Sequence, residues 1–335
     1  MSLDHLKPPG DDRSRSPSRS PRDADKVPLE SMDSTLDVAK YMISCKTRCW
    51  ETQALDIFRA AGFVVISEVL SEHQCQEVLS ACEEVAAQIV GPEQWGNRSN
   101  RGRYSFGVAS STGSILHVPE IAGNLLVQAG LVLHPLLEEI FSKDGKADFL
   151  CYSGGGDFVL PGVKDYQFLH GDMPMAPGDD RMPPPFLSVN FCVQPLTALN
   201  GPIRLVPGKT ERDWDRRQEE PPEWRSSRLF PCPAGAALLR DVRILHAGTP
   251  NWSAATRFLP SIEYISGGLR ATQDEAMFPP SRCIPRGLYE TLPEPIQILC
   301  RELVAEQGSE PENEDSENLK PWQSRYWHGV TYERA

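Results

Sequence analysis

From Ala147 to about Ile265 the chain runs as short apolar stretches broken every few residues by glycine or proline, and no other feature narrows the fold as much. Runs of this length between turn residues are strands of a barrel or sandwich. With 335 residues, 40% of them hydrophobic, the chain can bury one large core, and all-β domains of about 200–250 residues commonly remain single. One domain over 36–305 is therefore expected, flanked by tails at 1–35 and 306–335.

Helical patterns precede the strands. Ala54 to Ala61 reads as a short helix stopped by Gly62, and Phe63-Val-Val-Ile66 as a strand. Ser71-Glu-His-Gln74 is a capping box. It opens a helix with Cys75, Val78, Leu79, Cys82, Val85, Ala86 and Ile89 on one face, closed by Gly91-Pro92 and expected to buttress an outer sheet. Pro119 to Phe141 predicts two further helical stretches split near His134-Pro135. Gly154-Gly-Gly156 reads as a turn; no helix follows it, which argues against a phosphate loop. Pro295 to Gln307 predicts a closing helix.

The first 35 residues are polar and proline-rich with almost no apolar content, a composition expected to be disordered. Within them, Arg13 to Arg22 alternates arginine and serine and holds two Ser-Pro steps. That tract reads either as a docking tail for a kinase or protein partner, tuned by phosphate charge, or as an idle linker. Glu310 to Glu317 is acidic and precedes an aromatic segment with Trp322, Tyr326 and Trp327. A net charge of −12 argues against a nucleic-acid surface on the domain, and no run approaches the ~18 apolar residues of a membrane span. The nine cysteines are scattered, and Cys45 with Cys49 lacks the second pair of a zinc finger. Free cysteines suit a reducing compartment. With neither a secretory h-region nor a Ser-Lys-Leu ending, the expected location is cytoplasmic or nuclear.

Chemistry concentrates in His170-Gly171-Asp172, His246 and Arg257. Asp165 to His170 reads as a short strand, and side chains two apart on a strand point the same way. Ala236 to Ser253 reads as an apolar strand, a charged turn at Arg240-Asp241 and a second short strand that delivers His246. Arg257 opens a further strand pattern to Tyr264, antiparallel to its predecessor if the connection is a simple hairpin. Two imidazoles and a carboxylate are the set that holds non-haem Fe(II) on one face and leaves positions open opposite. The fork of a permanently charged arginine suits a carboxylate co-substrate. Gln167 and Asn190 are candidates to contact that co-substrate, an ordinary core hydrogen bond serving equally well for each. Arg103-Tyr104 could reach the mouth of such a site, a solvated strand edge being the plainer reading.

Taken together, Phe58-Arg-Ala-Ala-Gly-Phe-Val-Val-Ile66, His170-Gly-Asp172, Asn200-Gly-Pro-Ile-Arg-Leu-Val-Pro-Gly208, His246-Ala-Gly-Thr-Pro-Asn-Trp-Ser253 and Arg257 resemble the phytanoyl-CoA dioxygenase family of Fe(II)/2-oxoglutarate oxygenases, over roughly residues 50–270. The resemblance implies a mainly β double-stranded β-helix (jelly roll) with N-terminal helices on the outer sheet. It further implies a metal triad of His170, Asp172 and His246, and 2-oxoglutarate paired with Arg257. Hydroxylation of a small organic or lipid-like substrate would use O2 and release succinate, with ascorbate as a supporting reductant. Halogenating relatives have a small residue where this chain has Asp172, so the carboxylate favours hydroxylation. Two departures stand out. Gly248 replaces the hydroxyl residue that many relatives carry there, a role left to Ser253 or a backbone group, and Lys209-Thr-Glu replaces a histidine-bearing loop. The competing readings are a jelly-roll metalloenzyme of another reaction type and a non-catalytic adaptor working through the Arg/Ser tail.

Overall fold

Chain path settles the architecture, because from β6 onward the chain alternates between two sheets once the extended segment through His170 is counted. The computed structural model describes residues 36–90, 102–106, 115–175, 182–215, 218–271 and 284–304; the expectations for 1–35, Gly91-Pro92 and the acidic and aromatic C-terminal segment lie outside them. The strands are β1 Met42–Ser44, β2 Phe63–Ser67, β3 Arg103–Ser105, β4 Ser142–Lys143, β5 Lys146–Ala147, β6 Phe149–Val159, β7 Phe186–Phe191, β8 Arg204–Thr210, β9 Ala237–Asp241, β10 Ile244–Ala247 and β11 Arg257–Ser266. Seven form a major sheet in the order β1-β2-β9-β7-β11-β6-β3, and β8 pairs with β10 in a minor sheet. An extended segment through His170 lies alongside β10 by way of an antiparallel bridge to His246. From β6 the chain thus visits the major and minor sheets alternately through to β11. This is the expected double-stranded β-helix. β11 is not a hairpin partner of β10, as a simple connection would have made it; it crosses to the major sheet and pairs with β6 and β7.

Side-chain alternation divides the major sheet into two faces. On the outer face Val64, Ile66, Phe158, Val189, Leu239 and Ile262 share one buried core with the helices α1 (Trp50–Ala61) and α2 (Glu72–Ile89). A buried side chain such as Phe158 contributes about 1.5–3 kcal/mol. The inner-face residues Phe63, Val65, Leu238 and Leu259 meet Leu205 and Ile244 of the minor sheet. The α2 capping box is present, Ser71 N donating to Gln74 Oε1 (2.8 Å) and Gln74 N to Ser71 Oγ (3.3 Å). Gly62 ends α1 in the left-handed region, φ 76°.

Several local expectations change. Gly154 to Gly156 is not a turn but the middle of β6. A Cβ at Gly154 would lie 2.4 Å from Leu116, and one at Gly156 would lie 2.2 Å from the Leu259 carbonyl; these glycines permit close approach. Pro119–Phe141 is one helix, not two, with a π-helical stretch at Ala122–Ala129. It runs through Pro135, which forfeits a hydrogen bond, because Leu133, Leu136 and Leu137 are anchored in the core. Its length and apolar composition match a membrane span, yet most of its apolar side chains pack inside the domain, Leu131 being exposed. The closing helix is confined to Glu294–Cys300. Arg103 and Tyr104 are buried, not a solvated edge.

Burial, aided by Glu83, pushes the Cys82 thiol up; burial and the neighbouring Cys300 do the same for Cys151. Cys192 is pushed up by Cys232, 3.5 Å away between sulfurs, and by burial. Such thiols are poor nucleophiles. Labelling of the native protein, read by peptide mass spectrometry, is expected to modify the exposed Cys49 first and to spare Cys82, Cys151 and Cys192 until unfolding. Early labelling of Cys192 would contradict the closed inner core.

Candidate metal centre

Two reciprocal backbone hydrogen bonds set the site: His170 N to His246 O (3.1 Å) and His246 N to His170 O (2.9 Å). Residues so paired face the same side of a sheet, and the two imidazole centroids lie 4.5 Å apart. Asp172 follows on the same segment, its backbone N–H donating to Val242 O (2.7 Å). The segment is extended but not the regular strand expected from Asp165 to His170; the bridge to His246 and single backbone hydrogen bonds from Gln167 N to Gly248 O and from Asp172 N to Val242 O tie it down. Gly171 between the ligands has a steric reason, since a Cβ there would lie 2.9 Å from the Arg243 carbonyl oxygen.

The three donors converge. His170 Nε2 lies 3.7 Å from Asp172 Oδ1 and His246 Nε2 lies 3.4 Å from Oδ2, all ligand atoms falling within 4.8 Å of one another. His170 Nδ1 is 2.8 Å from Phe168 O, and His246 Nδ1 is 2.9 Å from Ile244 O. A carbonyl only accepts, so each Nδ1 carries the proton and each Nε2 offers its lone pair inward, the arrangement metal-binding histidines use. Burial by itself would raise the Asp172 carboxyl, but its neighbours His246, Arg240 and His170 outweigh it and hold the group well below the usual carboxylate range. Two neutral nitrogens and one anionic oxygen suit a divalent first-row ion.

Arg240, read from sequence as part of a turn, lies one residue before the end of β9 and on its inner face. Its Nη1 donates to Asp172 Oδ2 (3.0 Å). The same atom lies 3.2 Å from His246 Nδ1, which cannot accept while donating to Ile244. Arg240 therefore orients one carboxylate oxygen and leaves the other to a metal. The real turn is Val242-Arg243, held by a buried ion pair between Arg243 and Asp241 (Nη2 to Oδ2, 2.7 Å).

Arg257 is 1% exposed, and its fork already has a carboxylate. Nη1 and Nη2 donate to Asp157 Oδ1 (3.0 Å) and Oδ2 (3.2 Å), and Nε donates to Gly201 O (3.0 Å). A dicarboxylate arriving here would share the guanidinium with Asp157. Gln167 Oε1 accepts from Gly248 N (2.9 Å). Asn190, on the inner face of β7, accepts from Ser188 Oγ (3.4 Å). Ser253 is spent on its own turn, its Oγ 2.7 Å from Asn251 Oδ1 and 3.0 Å from Ala255 O. Gly248 has a reason too: a Cβ there would lie 2.2 Å from Arg103 Nη1 and 2.7 Å from Gln167 Oε1. Arg103 Nη2 donates to Thr249 O (2.9 Å) and Asp165 O (3.2 Å), so a second guanidinium fills the space a side chain at 248 would need. Sequence reading missed Arg240 and Asp157 and set Arg103 aside as a strand-edge residue. An arginine directly after the apolar run Ala236-Ala-Leu-Leu239 was the only signal for Arg240; nothing local marks Asp157. A cavity of about 300 Å³ between Leu169, Leu245, Arg212 and Trp214 is lined by none of the triad.

The family model described as phytanoyl-CoA dioxygenase matches residues 58–259. A multifunctional dioxygenase, ausE, of Aspergillus calidoustus is 32% identical over 162 residues, covering 45% of this chain and 50% of the relative; the chain thus spans about half the length of that curated protein. Among solved structures, AviO1 from Streptomyces viridochromogenes Tue57 aligns with a TM-score of 0.46 at 17% identity, over 65% of this chain and 95% of that one. HygX from Streptomyces hygroscopicus, solved with nickel and 2-oxoglutarate, aligns at 0.46 and 16% identity, over 64% and 86%.

Arg240→Met is expected to weaken divalent-metal binding about 10–100-fold, as loss of an orienting partner typically does, measured by competition with a chelating dye. Gly248→Ser is expected to cost about 1–3 kcal/mol by overpacking against Arg103, measured by denaturant unfolding. An unchanged midpoint would mean Arg103 moves aside freely.

Proposed function

Because the chain belongs to the phytanoyl-CoA dioxygenase family, we propose that it is an Fe(II)- and 2-oxoglutarate-dependent dioxygenase that hydroxylates a small organic or lipid-like molecule. The observation that carries this reading is the convergence of His170 Nε2, His246 Nε2 and the Asp172 carboxylate, with both imidazole tautomers set by backbone carbonyls. Ferrous iron and a 2-oxo acid, when bound, would supply O2 activation coupled to decarboxylation of the co-substrate to succinate.

The chain's own residues do the rest. His170 and His246 present neutral nitrogens, and Asp172 stays ionised under the Arg240 guanidinium. A carboxylate at 172 fills a coordination position that a small residue would leave to an exogenous anion, which favours hydroxylation. Arg257 stays charged at any working pH and offers its fork, shared with Asp157, to the distal carboxylate of the co-substrate. Gln167 holds the Gly248 backbone beside the second histidine. Burial of His246 and Arg257 keeps water from competing for these contacts.

The purified protein with ferrous iron and 2-oxoglutarate is expected to release succinate and CO2, slowly without substrate and faster with a good one. His170→Ala and Asp172→Ala should each abolish the release. Succinate formation that is independent of iron, or that survives both substitutions, would sink the reading. Asp157→Asn should cost about 3–5 kcal/mol by stranding the Arg257 charge, and should enlarge the thermal stabilisation that 2-oxoglutarate confers.

A further inference from the structure

One buried hydroxyl has nothing to bond to. Ser261 is 1% exposed, and its Oγ has no hydrogen-bond partner among the described residues. Burying such a group without a partner costs stability, so an unmatched one invites the question of what satisfies it.

Its position answers. Arg257, Leu259, Ser261 and Glu263 alternate along one face of β11, and Leu259 packs with Leu205 and Ile244 of the minor sheet, so this is the inner face. Strand register lays out rows across that face. Phe63, Arg240, Ser188, Glu263 and Ser153 form one row, and Val65, Leu238, Asn190, Ser261 and Gly155 the next. The first row holds Arg240, whose guanidinium touches Asp172, and so marks the metal end. Arg257 lies four residues before Ser261 and marks the far end. Ser261 therefore sits between the two anchors that a metal-bound dicarboxylate would span, with Asn190 beside it and Gly155 adding no side chain. Meanwhile Gly248 supplies no hydroxyl, and the Ser253 hydroxyl is consumed in its turn.

We propose that Ser261 is a co-substrate-binding residue whose hydroxyl donates to a carboxylate of the 2-oxo acid, replacing the hydroxyl that Gly248 lacks; the inference rests on the function proposed above. The test uses the full chain loaded with Mn(II), titrated anaerobically with 2-oxoglutarate and followed by calorimetry and thermal unfolding. Ser261→Ala and the near-isosteric Ser261→Cys should unfold, without ligand, at the wild-type temperature or slightly above, since no hydrogen bond is lost. Both should bind Mn(II) as wild type does. Both should bind 2-oxoglutarate about tenfold or more weakly, the usual loss for a hydrogen bond to a charged group, with a smaller ligand-induced rise in Tm. Wild-type affinity for 2-oxoglutarate in either variant, or a drop in the Tm of both ligand-free variants, overturns the assignment. If wild type itself gives no heat and no Tm rise with 2-oxoglutarate, the parent reading fails, and the proposal with it.

Discussion

The paired backbone hydrogen bonds between His170 and His246 are the contact on which the centre depends. They join a segment just after β6 to β10, far apart in sequence, and place two imidazoles side by side before any metal arrives. Everything else in the site is arranged around that bridge. Gly171 lets the segment pass close to Arg243, Asp172 takes its bond from Val242 O, and the sheet-switching turn before β10 is tied by Arg243 and Asp241. A metal would then bind ligands already aimed at it, so little ordering entropy would oppose binding.

The inner face of the major sheet is unusually charged for a core. Arg240 with Asp172 and Arg257 with Asp157 are guanidinium–carboxylate pairs in which the arginine is nearly fully buried. Desolvation makes such pairs weak contributors to net stability, although breaking one is expensive. Their value here is positional. Each arginine is held in one orientation, and the two that flank the Ser261 row define the ends of a polar corridor inside an otherwise apolar double sheet. The outer face, packed against α1, α2 and the Pro119–Phe141 helix, supplies the hydrophobic burial that offsets this cost.

Local rules were legible wherever one residue answers to its immediate neighbours. The Ser71–Gln74 capping box, the Gly62 stop and the Phe63-Val-Val-Ile66 strand are decided within a few residues, and they stand as read. Rules that depend on what lies across a sheet were not legible. Gly154 to Gly156 resembles a turn until Leu116 and β11 are seen pressing on it. Arg103 resembles an edge residue until its guanidinium is found behind Gly248. β11 resembles a hairpin arm until it crosses to the other sheet.

The sequence by itself determined which side chains could serve as donors and a fold class able to bring them together, because residue chemistry and the ordered blocks that carry the family resemblance are written along the chain. Only the tertiary structure decided which histidine nitrogen faces inward, that Arg257 shares its fork with Asp157, and that Ser261 lies unmatched between two arginines. Those outcomes follow from cross-strand register and from which carbonyl happens to sit opposite a given nitrogen, quantities that exist only once distant segments have been laid side by side.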